Sequence, residues 1–147
     1  MNQRRPLARA IAPLLIGGAA LASITGCGFI QQQVGDAWVV TYEVTVDQPV
    51  GSPFQDVAIE GAEERGGAPS VRALDEQATT AGTDGGSEWT HESIVLAEDN
   101  ASVRATPAPD AVASCRILVG GGREIASETA SAPGAEVHCS ASTPGFD

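Results

Sequence analysis

The sequence predicts an all-β protein, an antiparallel β-sandwich, and three observations support this fold class. Short apolar stretches alternate with polar residues at period two, the spacing of a strand with one buried face. Glycine and proline turn signals recur about every 8 to 12 residues, as they do in two-layer antiparallel folds. No stretch after residue 36 has the 3.6-residue periodicity of a helix. We therefore expect about seven short strands in an immunoglobulin-like sandwich with one disulfide.

The clearest strand begins at Trp38. The residues that would share its buried face are Trp38, Val40, Tyr42, Val44 and Val46. The intervening residues 39, 41, 43 and 45 are Val, Thr, Glu and Thr, and they would face solvent. Turn residues follow at Pro49, Gly51 and Pro53, and they end the strand.

Weaker strand signals lie on either side of a polar segment in the middle of the chain. The predicted strands are Gln55 to Glu60, Val71 to Leu74, Trp89 to Ala97 and Ala101 to Thr106. Pro107 and Pro109 end the last of them. Between these strands, Gln77 to Glu88 has no large apolar residue, and we predict a loop that is either mobile or functional.

The last third of the chain predicts a hairpin, a turn and a final strand. The strands are Ser114 to Val119, Arg123 to Thr129 and Ala135 to Ala141, with turns at glycines 120–122 and at Pro133-Gly134. Cys115 and Cys139 both fall on inward faces, so we expect them to form a disulfide. The first and third strands of a flat meander lie about 10 Å apart, beyond the roughly 7 Å limit between disulfide-bonded Cα atoms. The final strand must therefore cross to a second sheet.

The first 26 residues predict a cleaved export signal. Arg4, Arg5 and Arg9 precede an apolar run that is too short to span a membrane as a helix. Ile24-Thr25-Gly26-Cys27 resembles the lipobox of bacterial lipoproteins, which implies that Cys27 becomes the first mature residue and carries the lipid. The alternative is an ordinary signal peptide that leaves Cys27 free. The predicted organisation is a signal over 1–26, a lipidated Cys and flexible tether over 27–36, and the sandwich over 37–147.

Charge and chemistry narrow the functional classes. After removal of the signal, five arginines face 19 carboxylates, a net charge of −14, so nucleic acid is not expected as a partner. His91-Glu92 lacks the second His of a zinc-protease helix at position 95, and His138 is expected to face solvent. We therefore predict no catalytic residue, no metal site and no cofactor. Trp89 is either a core residue or the border of a groove for a small ligand or lipid.

Short motifs along residues 38–139 resemble the MmpS small membrane proteins of mycobacteria and their relatives. The motifs are Val40-Thr41-Tyr42-Glu43-Val44, Trp89, Cys115-Arg116-Ile117-Leu118-Val119 before Gly120, and Cys139. The resemblance implies an immunoglobulin-like domain outside the membrane that assists a large exporter. Members of that family retain a transmembrane helix, whereas this chain predicts a lipid anchor.

The functional prediction is a lipid-anchored, non-enzymatic protein on the extracytoplasmic face of the cell membrane. The membrane is its expected partner through Cys27, and a membrane transporter is the expected protein partner. The alternative is a surface protein that binds a small molecule or lipid in a groove near Trp89.

Overall fold

Two antiparallel sheets form the domain in the computed structural model, which describes residues 36–82 and 85–146. The strands are β1 (Ala37–Val46), β2 (Pro53–Gly61), β3 (Ser70–Ala78), β4 (Thr80–Ala81), β5 (Ser87–Leu96), β6 (Asn100–Thr106), β7 (Ala113–Val119), β8 (Arg123–Thr129) and β9 (Val137–Ser142). One sheet has the order β4-β5-β1-β7-β8 and the other β3-β2-β6-β9. The predicted antiparallel sandwich is confirmed. Its strand order differs from the A-B-E-D and C-F-G sheets of an antibody constant domain.

The core lies between the sheets and is built largely as the period-two pattern predicts. Val40, Tyr42 and Val44 of β1 are fully buried, whereas Trp38 and Val46 at its two ends are only partly buried. Both end residues still pack against the core. The buried Tyr42 hydroxyl donates a hydrogen bond to the Glu60 carbonyl, which satisfies its polar group.

The predicted disulfide between Cys115 and Cys139 is confirmed. It joins β7 in one sheet to β9 in the other, with a Cα–Cα distance of 6.0 Å. Both cysteines are buried. The last strand therefore crosses to the second sheet, as the distance argument requires.

The prediction of a loop over Gln77 to Glu88 is wrong at both ends of that segment. β3 continues to Ala78, and Thr80 and Ala81 form β4 by pairing with Glu88 and Ser87 of β5. The Gly82 N–H donates to the Gly86 carbonyl at 2.8 Å and closes the turn. Strand pairing here depends on backbone hydrogen bonds, so it needs no large apolar side chain.

The two ends of the sandwich differ in what they carry. At the proximal end β1 begins, with Ala37 opposite Leu96; at the distal end β1 finishes, with Val46 opposite Ala113. Loops between later strands return to these ends. The Gly120 N–H reaches the Val39 carbonyl at the proximal end, and the Asp47 N–H reaches the Val112 carbonyl at the distal end.

The predicted signal, the lipobox and Cys27 lie outside the described residues, as does all of the tether before Asp36. Within residues 36–82 and 85–146, no helix is long and apolar enough to span a membrane.

Candidate functional site

Trp89 is a core side chain. It lies on the inward face of β5 with 6% of its surface exposed. Its indole Nε1–H donates to Gln77 Oε1 on β3 at 3.3 Å. The three surface cavities described below are lined by other residues. Of the two roles that the sequence left open for Trp89, the structure places it in the core.

A polar bridge beside Trp89 links the edges of the two sheets. The His91 ring stacks on Trp89 with centroids 5.8 Å apart. On the opposite sheet, Arg72 of β3 contacts both His91 and Glu63. Its Nη2 lies 3.3 Å from His91 Nε2, and its Nη1 forms an ion pair with Glu63. Arg72 Nε is buried and has no hydrogen-bond partner among residues 36–82 and 85–146. A small cavity of about 300 Å³ beside Arg72 is lined mostly by the turn between β2 and β3.

Burial, and then the positive charge of Arg72, lower the pKa of His91 below its usual value, and Glu63 and Glu92 oppose this shift. The imidazole is therefore neutral at neutral pH, so its Nε2 can accept a hydrogen bond from the Arg72 guanidinium. This arrangement fixes one sheet edge against the other. Sequence reasoning did not single out Arg72, because its strand has only a short alternating pattern.

We expect this bridge to make stability depend on pH. The unfolded chain has a His pKa near 6.5, so it takes up the proton before the folded domain does. The stability that neutral His91 contributes is complete above about pH 6.5 and is lost as the pH falls through the folded pKa. His91→Gln should narrow the difference in melting temperature between pH 7.5 and pH 5, measured by circular dichroism. The exposed His138 gives the matched control, since His138→Gln should leave that difference unchanged.

A second cavity, of about 260 Å³, lies on the outer face of the five-stranded sheet. Its floor carries Glu43 of β1 and Arg116 of β7, which form an ion pair. The hydrogen bond to Glu43 raises the pKa of Arg116. The floor of this cavity therefore carries one paired positive and negative charge. Among the described residues, no group of three or more His, Cys, Asp or Glu side chains is placed to hold a metal ion.

The distal end carries a cleft of about 470 Å³ with proline walls, which we call the proline cleft. It is formed where β2 begins, where β6 ends and where the chain turns toward β9. Its lining residues are Pro53, Gln55, Thr106, Pro107, Ala108, Pro109, Pro133 and Gly134. None of these side chains is charged, although the chain has 19 carboxylates. The cleft is therefore an uncharged region on a strongly acidic surface.

The walls of the proline cleft are held by close packing and backbone hydrogen bonds. Gly134 has a φ of +73°, and a Cβ at this position would lie 2.9 Å from the Pro109 backbone. Only glycine fits this contact without strain. The Gly134 N–H donates to the Ala111 carbonyl at 2.9 Å, and the Ala111 N–H to the Ala108 carbonyl at 3.0 Å. The cleft is thus formed before any partner arrives.

Sequence reasoning identified these prolines only as the ends of strands. One sequence feature could have linked these prolines. Each lies in a turn beside a strand end, before or at the start of β2, after β6 and before β9. Whether those turns lie at the same end of the sandwich depends on strand order and direction. The cleft could therefore be located only once the sheet topology was known. His138 is exposed as predicted, and Cys115 and Cys139 are joined in the core, away from the cleft.

The proline cleft has the largest volume of the three cavities described here in residues 36–82 and 85–146. Because it lacks ionisable groups, it is suited to contact with apolar groups and not to acid or base chemistry. No protein-family model, curated protein or solved structure matches this chain.

Proposed function

We propose that this chain is a lipid-anchored, non-enzymatic protein of the cell envelope whose sandwich domain contacts a protein partner through the proline cleft. The observation that carries the proposal is the uncharged, preformed cleft at the distal end. The lipobox resemblance around Cys27 supports attachment to the extracytoplasmic face of the membrane. The MmpS resemblance supports a membrane transporter as the partner.

The chemistry of the cleft favours a short apolar segment of the partner. Proline, alanine and glycine side chains lose almost no rotamer entropy on burial, so ordering this surface on binding costs little. Exposed carboxylates lie within two residues of the lining residues in sequence, at Asp56, Asp110 and Glu136. A partner segment with an apolar centre and flanking Lys or Arg residues complements this arrangement.

The test is a crosslinked pull-down of the full lipidated protein from its native membranes, with partners identified by mass. Ala108→Arg adds bulk and a charge inside the cleft. We expect it to lower recovery of a specific membrane protein by about tenfold or more, the effect of disrupting the centre of an interface. The matched control is Ala73→Arg, which places the same substitution on an exposed position of β3.

Full recovery of the partner by wild type and Ala73→Arg, with loss from Ala108→Arg, supports the proposal. Equal recovery by both variants would place the contact elsewhere and contradict the role of the cleft. Recovery of no specific protein by wild type would contradict the partnership itself. Circular dichroism of each variant verifies that the domain is folded before its recovery is compared.

A further inference from the structure

The proximal end of the sandwich carries aromatic and apolar groups that are exposed to solvent. Phe146 is 47% exposed and stacks on Trp38, with ring centroids 4.3 Å apart and planes 14° from parallel. Val39, next to Trp38 on β1, is 48% exposed. Half of the large hydrophobic residues that are exposed in the described chain therefore lie at this end; the others are Val50 and Val71.

The polar atoms around Trp38 give this end the character of a membrane-interface group. The indole Nε1–H donates to the Pro144 carbonyl at 2.8 Å, so the ring has no unsatisfied donor. The Arg123 guanidinium lies 5.2 Å from the centre of the Trp38 ring. Aromatic rings with a satisfied polar edge beside a cation prefer the headgroup region of a bilayer, where one side is apolar and the other wet.

The route of the chain indicates what covers this surface. The described domain begins at Asp36, directly before β1, and Cys27 lies nine residues earlier. Nine residues of chain can reach at most about 30 Å. A lipid on Cys27 therefore holds the proximal end within that distance of the headgroups. Tethers this short give effective concentrations in the millimolar range, so even a weak contact is populated.

We propose that the proximal end of the sandwich rests on the bilayer to which Cys27 anchors the chain, so that the proline cleft points away from the membrane. The contacting groups are Phe146, which stacks on Trp38 at the core side of β1, and Val39 on the outer side of the same strand. This inference rests on the lipid anchor of the proposed function. The occupant is a zwitterionic lipid surface, because exposed carboxylates at Asp36, Glu98 and Asp99 oppose anionic lipid. Docking orients the domain without holding it to the membrane by itself.

The test uses the full lipidated protein in phosphatidylcholine vesicles, with part of the lipid brominated in its acyl chains as a fluorescence quencher. Flotation first separates anchored protein, and quenching is measured only on that fraction. In the Trp89→Phe variant the remaining tryptophan is Trp38, so all tryptophan emission comes from that side chain. Wild type gives a second measurement, in which the buried Trp89 adds emission that the lipid does not quench. We expect brominated lipid to lower Trp38 emission at least twofold.

Val39→Ser with Phe146→Ser should abolish that quenching, whereas Val50→Ser, which changes an exposed apolar residue just beyond β1 at the distal end, should not. Anchored protein whose Trp38 emission is the same in brominated and ordinary vesicles would overturn the docking and leave the proposed function standing. Protein that does not float would overturn the lipid anchor and this inference with it. Equal quenching in all variants would show that the named surface is not responsible, and would also overturn the inference.

Discussion

Cys115→Ala is expected to lower the free energy of unfolding by about 3 to 4 kcal/mol. The disulfide closes a loop with a sequence separation of 24 residues, and the chain-entropy treatment gives this magnitude for a loop of that size. For a domain of this length the loss corresponds to a melting temperature lower by roughly 10 to 20 °C. The effect is large because the bond also joins the two sheets across a core with few aromatic side chains. Thermal unfolding followed by circular dichroism measures it.

Reduction of the wild-type protein is the control for this prediction. A reductant should bring the melting temperature of wild type close to that of Cys115→Ala and leave the variant unchanged. The double variant Cys115→Ala with Cys139→Ala removes the lone buried thiol and separates its effect from loss of the bond. If Cys115 and Cys139 both react with a thiol reagent in the native protein, the disulfide is absent and the prediction fails.

Cys27→Ala is expected to release the protein from the membrane fraction almost completely. Stable anchoring needs two or more lipid chains, and alanine offers no attachment point for them. The apolar run before it is interrupted by Pro13 and Gly17-Gly18 and falls short of the roughly 20 residues that a spanning helix needs. The proximal surface of the sandwich is too small to hold the domain by itself. Membrane fractionation with metabolic fatty-acid labelling measures both retention and lipidation.

A matched variant for this experiment is Thr25→Ser, which keeps a small residue in the lipobox and leaves Cys27 in place. It should remain labelled and membrane-bound. If Cys27→Ala stays on the membrane after an alkaline wash and carries no fatty acid, the apolar segment is retained as an anchor. That result would contradict the cleaved signal and the lipid attachment together.

Local patterns in the sequence were enough to predict the layers of this protein. The alternation from Trp38 to Val46 identified β1 and its buried face, because side chains of a strand alternate between faces regardless of what they pack against. The inward positions of Cys115 and Cys139 followed in the same way, and the separation of strands in a meander required their pairing to cross between sheets. The two ends of the Gln77 to Glu88 segment form strands instead of the predicted loop, since their pairing depends on backbone groups that every residue carries.

Tertiary structure alone decided where the two candidate surfaces lie. Pro53, Pro109 and Pro133 are far apart in the sequence, and they meet because strand order and direction bring three turns to the distal end. Trp38 and Phe146 are likewise separated by most of the domain and stack at the proximal end. Sequence periodicity records which way a side chain faces within one strand. It does not predict which strands are neighbours, because strand order depends on pairings between distant segments that form only when the whole core is buried.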